Sequence, residues 1–193
     1  MLKPNLFIVG AGKSGTTALY EYLRQHPAIF MSEVKEPHYF ASDFHVTQSI
    51  STFSHYTDEL TYLTLFQNAK NVQWLGEASP SNLPSLVAAR QIYDFNPDSR
   101  IIIILRNPIQ TVYAAYYQLH FSQIEPLATF EEALAAQTAR HSGYLLPKNL
   151  RVHPNLLQYY DVMNFPPQVQ RYLDVFPREQ VHIIIYGNCS GVL

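Results

Sequence analysis

Residues 6–23 read LFIVGAGKSGTTALYEYL, and this stretch leaves little choice of fold. Leu6, Phe7, Ile8 and Val9 form the apolar run of a strand buried on both faces. Gly10, Gly12 and Gly15 then fall within six positions, where backbone turns tightly or approaches a ligand closely. Thr16 and Thr17 open a helix in which Leu19, Tyr22 and Leu23 repeat at helical spacing. Strand, loop and helix aim the free N–H groups of the loop and first helical turn at one point. That point suits an anion, above all a phosphate.

The kinase and ATPase loop reads G-x-x-x-x-G-K-[ST]. Gly10 and Gly15 keep its spacing, but Thr16 stands where its lysine belongs, and the lysine lies inside the loop as Lys13. The K-S-G-T-T arrangement resembles the 5'-phosphosulfate loop of sulfotransferases that use 3'-phosphoadenosine 5'-phosphosulfate (PAPS) as donor. The resemblance implies that Gly12, Lys13, Ser14, Gly15, Thr16 and Thr17 grip the donor. It also implies that Lys13 is catalytic, stabilising charge on the oxygen between phosphate and sulfuryl group. Its fold is expected to be α/β and three-layered, a mostly parallel sheet with helices on both faces, akin to P-loop NTPases.

Two further blocks carry the same likeness. Lys35-Glu36-Pro37-His38-Tyr39-Phe40 reads as an ordered loop at a strand end, where open α/β sheets hold their chemistry. It resembles the K-E-P-H-F-F segment of bacterial and heparan-type sulfotransferases, which implies Glu36 as general base. An alcohol is a poor nucleophile at neutral pH, and a placed carboxylate can take its proton. His38 and Glu77 are expected to contact substrate. Glu77 belongs to Gly76-Glu77-Ala78-Ser79-Pro80, similar to the family's acceptor-cleft turn, in which Ser79 is expected to cap the following helix.

The second block is Arg100–Leu105, the most β-branched run and the expected central strand, followed by Arg106-Asn107-Pro108. An arginine at a strand end ahead of a helix start is poised for a phosphate. The likeness is to the family's 3'-phosphate motif and makes Arg106 the ligand. The serine expected beside it is replaced by Ala114. One lost hydrogen bond to a charged group costs roughly 1.5–3 kcal/mol, which Thr111 or Tyr113 could offset.

Elsewhere the reading is coarser. Residues 41–71 are polar and aromatic, with Phe44, Phe53 and a short helix carrying Tyr62, Leu63, Leu65 and Phe66. Further strands are expected at 28–31, 72–75 and 181–186. Helices are expected at 86–95, from Pro108 onward, at 129–140 with Thr129 as cap, and at 156–165. Pro166-Pro167 is then expected to break the chain before a core stripe of Val169, Tyr172, Leu173 and Phe176. Lys148, Arg151 and His153 are placed to line an acceptor channel. Residues 187–193 show no pattern, and the likeness implies one sulfotransferase domain over 1–193 that lacks a C-terminal segment.

A chain of 193 residues can bury one substantial core. Net charge of −2 gives no case for nucleic acid, so positive charge at an anion site must be local. The lone Cys189 excludes an internal disulfide. No run approaches the ~20 apolar residues of a membrane helix and no signal peptide is evident, so a cytoplasmic location without membrane contact is expected. No His pair has supported ligand spacing, and no metal is expected. The expected function is sulfuryl transfer from PAPS to a small-molecule or carbohydrate hydroxyl. The alternative is a truncated, non-catalytic sulfotransferase-like protein with weak nucleotide binding. A nucleotide kinase is disfavoured by Thr16 and by the lack of an aspartate after Leu105.

Overall fold

The computed structural model describes residues 2–45, 56–148 and 150–187; Phe53, Cys189 and the tail from residue 188 lie outside them. Five strands, β1 (Leu6–Gly10), β2 (Ile29–Met31), β3 (Trp74–Ala78), β4 (Arg100–Leu105) and β5 (Val181–Ile185), form one sheet. Their order is β2-β3-β1-β4-β5, and every neighbouring pair is parallel. The helices between them are α1 (Thr16–Leu23), α2 (Glu59–Leu63), α3 (Ala88–Phe95), α4 (Pro108–Phe121), α5 (Phe130–Ala135), α6 (Gln137–His141), α7 (Tyr159–Val162) and α8 (Phe165–Val175). No described helix is long and apolar enough to cross a membrane.

Alternation along the strands feeds two cores. Phe7, Val9, Ile101, Ile103 and Val181 pack on one face with Ile92 of α3 and Tyr172 of α8. Ile8, Ile104 and Ala78 pack on the other with Tyr20 of α1. Both faces of the sheet are therefore covered, as the apolar run of β1 requires, and all five of its residues are buried.

The central place goes to β1 rather than to β4. Strand pairing decides that position, and a β-branched run records only burial and fit to a pleated surface. β3 also extends further than 72–75, through Gly76 and Glu77. A Cβ at position 76 would collide with the Met31 sulfur, so glycine lets β2 and β3 lie together there. Residues 129–140 form two helices, α5 and α6, divided at Ala136; Thr129 and Glu132 make a reciprocal capping box at the start. Residues 156–165 are not one helix but hold the end of a 3-10 turn, the short α7 and the first residue of α8. Pro166 and Pro167 do not break the chain but sit in the first turn of α8, where a missing N–H costs no helical bond.

Helices α4 to α7 pack around Tyr116, Ala133 and Tyr159, beside a second cluster of Ile124, Val152 and Leu157. At their centre Arg140 grips Glu125 through two bonds of 2.7 Å, with both side chains fully buried. The Tyr159 hydroxyl and the Leu127 N–H also donate to that carboxylate, at 2.8 and 3.1 Å. Burial alone would raise the pKa of Glu125, but the Arg140, Leu127 and Tyr159 hydrogen bonds outweigh it and hold the carboxyl below the usual range.

Breaking a buried pair from one side strands a charge, whereas removing both partners need not. Arg140→Met is expected to lower unfolding free energy in urea by about 3–5 kcal/mol. The double variant Glu125→Met/Arg140→Met should lose clearly less; an equal loss would show that no buried charge had been stranded.

Candidate active site

The site begins where β1 ends. The Ala11 N–H donates to the Ile104 carbonyl at 2.6 Å, which ties the glycine loop to the neighbouring β4. The chain then turns through Lys13 at φ 59° and Gly15 at φ 98°, both in the left-handed region. Glycine is required at 15 for that angle, since an added Cβ would meet Ile104 and Tyr186 only at ordinary contact distance. Helix α1 starts at Thr16 with no side-chain cap and no acidic residue in its first turn. Its leading N–H groups are thus left for an anion. Ser14 is fully buried; its hydroxyl turns back toward the Gly12 carbonyl at 3.4 Å, and its N–H donates to the Ala11 carbonyl at 3.3 Å.

A cavity of about 470 Å³ opens in front of this loop. Gly12, Lys13, Gly15, Thr16 and Thr17 line one end, together with Glu36 and His38. The expected donor loop and the expected base therefore share one space. Glu36 sits at φ 59° with its N–H donating to the Ala78 carbonyl at 3.0 Å, and one carboxylate oxygen accepts from the Lys35 ammonium. Its other oxygen lies 3.6 Å from His38 Nε2. His38 is held in turn by its backbone N–H donating to Ser79 Oγ at 3.1 Å and by Nδ1 bonded to Ser81 Oγ at 2.7 Å.

Glu77 is placed differently from expectation. It is fully buried in β3, does not line the cavity, and accepts from Ser79 Oγ at 2.7 Å and Asn82 Nδ2 at 3.0 Å. Its side chain is closed off from the cavity. Alternation along a strand turned this side chain into the sheet's interior, which a motif read as a turn could not reveal. Ser79 is corrected with it: its side chain makes no cap bond and instead links Glu77 to the backbone of His38. Ahead of α3 it is Ser85 whose Oγ accepts from the Val87 and Ala88 N–H groups. Burial pushes the Glu77 carboxyl up to about 7, against the lowering effect of its Ser79 and Asn82 bonds.

Arg106 is not among the residues lining the cavity. It is half-buried on the β4 side of the loop, where Nε donates to Gln110 Oε1 at 3.1 Å and the guanidinium stands 5.8 Å from the Tyr186 ring centre. That ring in turn borders Gly15. Thr111 cannot replace the missing serine, because it is buried and its hydroxyl donates to the Asn107 carbonyl at 2.9 Å. Tyr113 is exposed and donates to the Tyr117 hydroxyl at 3.1 Å. Of the expected channel residues, His153 lines the cavity, while Lys148 and Arg151 do not. Ser81 and the apolar far wall, Leu119, Leu156 and Met163 among it, escaped the sequence reading. Apolar residues that line a cavity look like core residues in a sequence. No cluster of three or more His, Cys, Asp or Glu that could hold a metal occurs among the described residues.

Sheet and cavity together define an α/β protein in which a glycine loop at an uncapped helix start and a carboxylate line one cavity. The model of the sulfotransferase domain matches residues 3–188, and the chain belongs to that family. A sulfotransferase from Alicyclobacillus acidocaldarius superimposes with a TM-score of 0.85 at 36% identity, over 97% of this chain and 75% of that one. Carbohydrate sulfotransferase 15 from Homo sapiens is 27% identical over 94% of this chain and 40% of its own length. Heparan sulfate glucosamine 3-O-sulfotransferase 6 from Homo sapiens is 31% identical over 60% of this chain and 30% of its own. The chain thus spans well under half the length of these curated relatives.

Glu77 stays protonated in the fold up to about pH 7, whereas an unfolded glutamate ionises near 4.5. Its contribution to stability is therefore fully present below pH 4.5 and is lost as pH rises through 7. Glu77→Gln should abolish this term, worth about 3 kcal/mol. Unfolding midpoints of wild type and variant should diverge between those pH values, and parallel curves would refute the buried neutral carboxyl.

Proposed function

We propose that the chain transfers a sulfuryl group from PAPS to a hydroxyl group of a small-molecule or carbohydrate acceptor. The observation that carries this reading is the shared cavity of Lys13 and Glu36, one beside an uncapped helix start and the other a carboxylate held at a strand end. The first-turn N–H groups and the Lys13 ammonium neutralise the donor's 5' phosphosulfate and the charge that grows on the bridging oxygen. Glu36 takes the acceptor proton. The acceptor oxygen forms its bond to sulfur as the bond from sulfur to the 5'-phosphate oxygen breaks. Preorganised positive charge supplies the stabilisation, and the step calls for no metal.

Arg106 takes the 3'-phosphate in this reading, exchanging its Gln110 contact for the anion. The nucleotide then passes Gly15 along the Tyr186 ring. His38 supports Glu36 at the acceptor's edge, and Glu77 acts at a distance by holding Ser79. Ala114 at the second 3'-phosphate position, with Arg106 outside the cavity, favours a second reading: a fold that binds nucleotide weakly and transfers nothing.

Calorimetry with adenosine 3',5'-bisphosphate and transfer assays with labelled PAPS separate these readings. Lys13→Ala should weaken bisphosphate binding at least tenfold. Glu36→Gln should leave binding intact and lower transfer by about 10²–10⁴-fold. Binding without transfer to any hydroxyl acceptor supports the second reading, and absence of binding at high micromolar ligand defeats both.

A further inference from the structure

The far end of the cavity differs sharply from the loop end. Phe44, Leu119, Val152, Leu156, Val162 and Met163 form its wall, drawn from separate segments of the chain. Lys13, at the opposite end, is the sole lysine or arginine among the described lining residues. His153 packs against Phe44, ring centres 5.1 Å apart, and burial lowers its basicity, so it brings no positive charge at neutral pH. Gln168, 3% exposed, also lines this end. Its Nε2 donates to the Asp161 and Val162 carbonyls, while its Oε1 is buried with no hydrogen-bond partner.

We propose that this wall selects an uncharged alcohol on a largely apolar body, such as an alkylphenol or a lipid-like alcohol. Resting on the reading of the cavity as an acceptor site, the inference names the class of acceptor. An apolar surface rewards removal of apolar area from water. It offers nothing to the carboxylates or sulfates of an anionic saccharide, whose desolvation would go unrepaid. The class of acceptor in the carbohydrate-directed relatives therefore does not carry over to this chain.

The test uses 4-butylphenol and a sulfated disaccharide as probes, with saturation-transfer NMR on the whole chain. Wild type is expected to bind the alkylphenol and to show no contact with the disaccharide at the same concentration. Leu156→Lys should weaken alkylphenol binding at least tenfold, with the unfolding midpoint as the check that it folds; Met163→Lys serves if it does not. Both positions are only half-buried, so either can take a lysine. Equal or tighter binding of the disaccharide, or an unchanged alkylphenol affinity in the folded variant, would overturn the proposal. Bisphosphate binding is measured separately: its loss alongside retained alkylphenol binding defeats the donor reading and leaves the apolar wall standing.

Discussion

The burial of β1 between β3 and β4 governs the rest of the molecule. Its residues are covered on both faces and paired on both edges, so its carboxyl end can leave the sheet only in one direction. The Ala11 N–H bond to Ile104 then fastens the glycine loop to β4. A loop anchored this way presents its N–H groups in a fixed array, and preorganisation of that kind is what lets backbone dipoles stabilise charge without rearrangement.

A second constraint operates from below the site. Glu77 is a carboxylate carried into the sheet, neutral over much of the acid range, and it spends its oxygens on Ser79 and Asn82. Ser79 passes the restraint to the His38 backbone, and Ser81 holds the His38 ring. The loop that carries Glu36 is thereby positioned through two polar contacts with the turn after β3. Its left-handed residues at 36 and 38 are tolerated because the surrounding bonds over-determine them. Burial and polar satisfaction work together here, since an unpartnered carboxyl in that position would cost the sheet dearly.

The cavity inherits a polarity from its two sources. Strand ends of the sheet supply the charged and hydrogen-bonding end, while α4 and the segments around α7 supply the apolar end. The buried Glu125–Arg140 pair ties those segments together, because Glu125 precedes α5, Arg140 lies in α6 and Tyr159 in α7. The helical layer that supplies the apolar end has its own buried clusters, separate from the contacts that anchor the glycine loop.

Patterns local in sequence, with the likeness they carry, indicated the parallel α/β class, the glycine loop with Lys13, the Pro108 start of α4 and the Thr129 cap, because each rests on residues close in sequence. The loop with Glu36 was equally legible, its charged and aromatic residues standing beside a proline at a strand end. Tertiary structure decided what distance in sequence conceals. It made β1 central rather than β4, turned Glu77 inward, left Arg106 outside the cavity and gathered Phe44, Leu156 and Met163 into one wall. Which strand pairs with which, and which apolar side chain faces a void instead of a neighbour, are properties of packing, and no short window of sequence contains them.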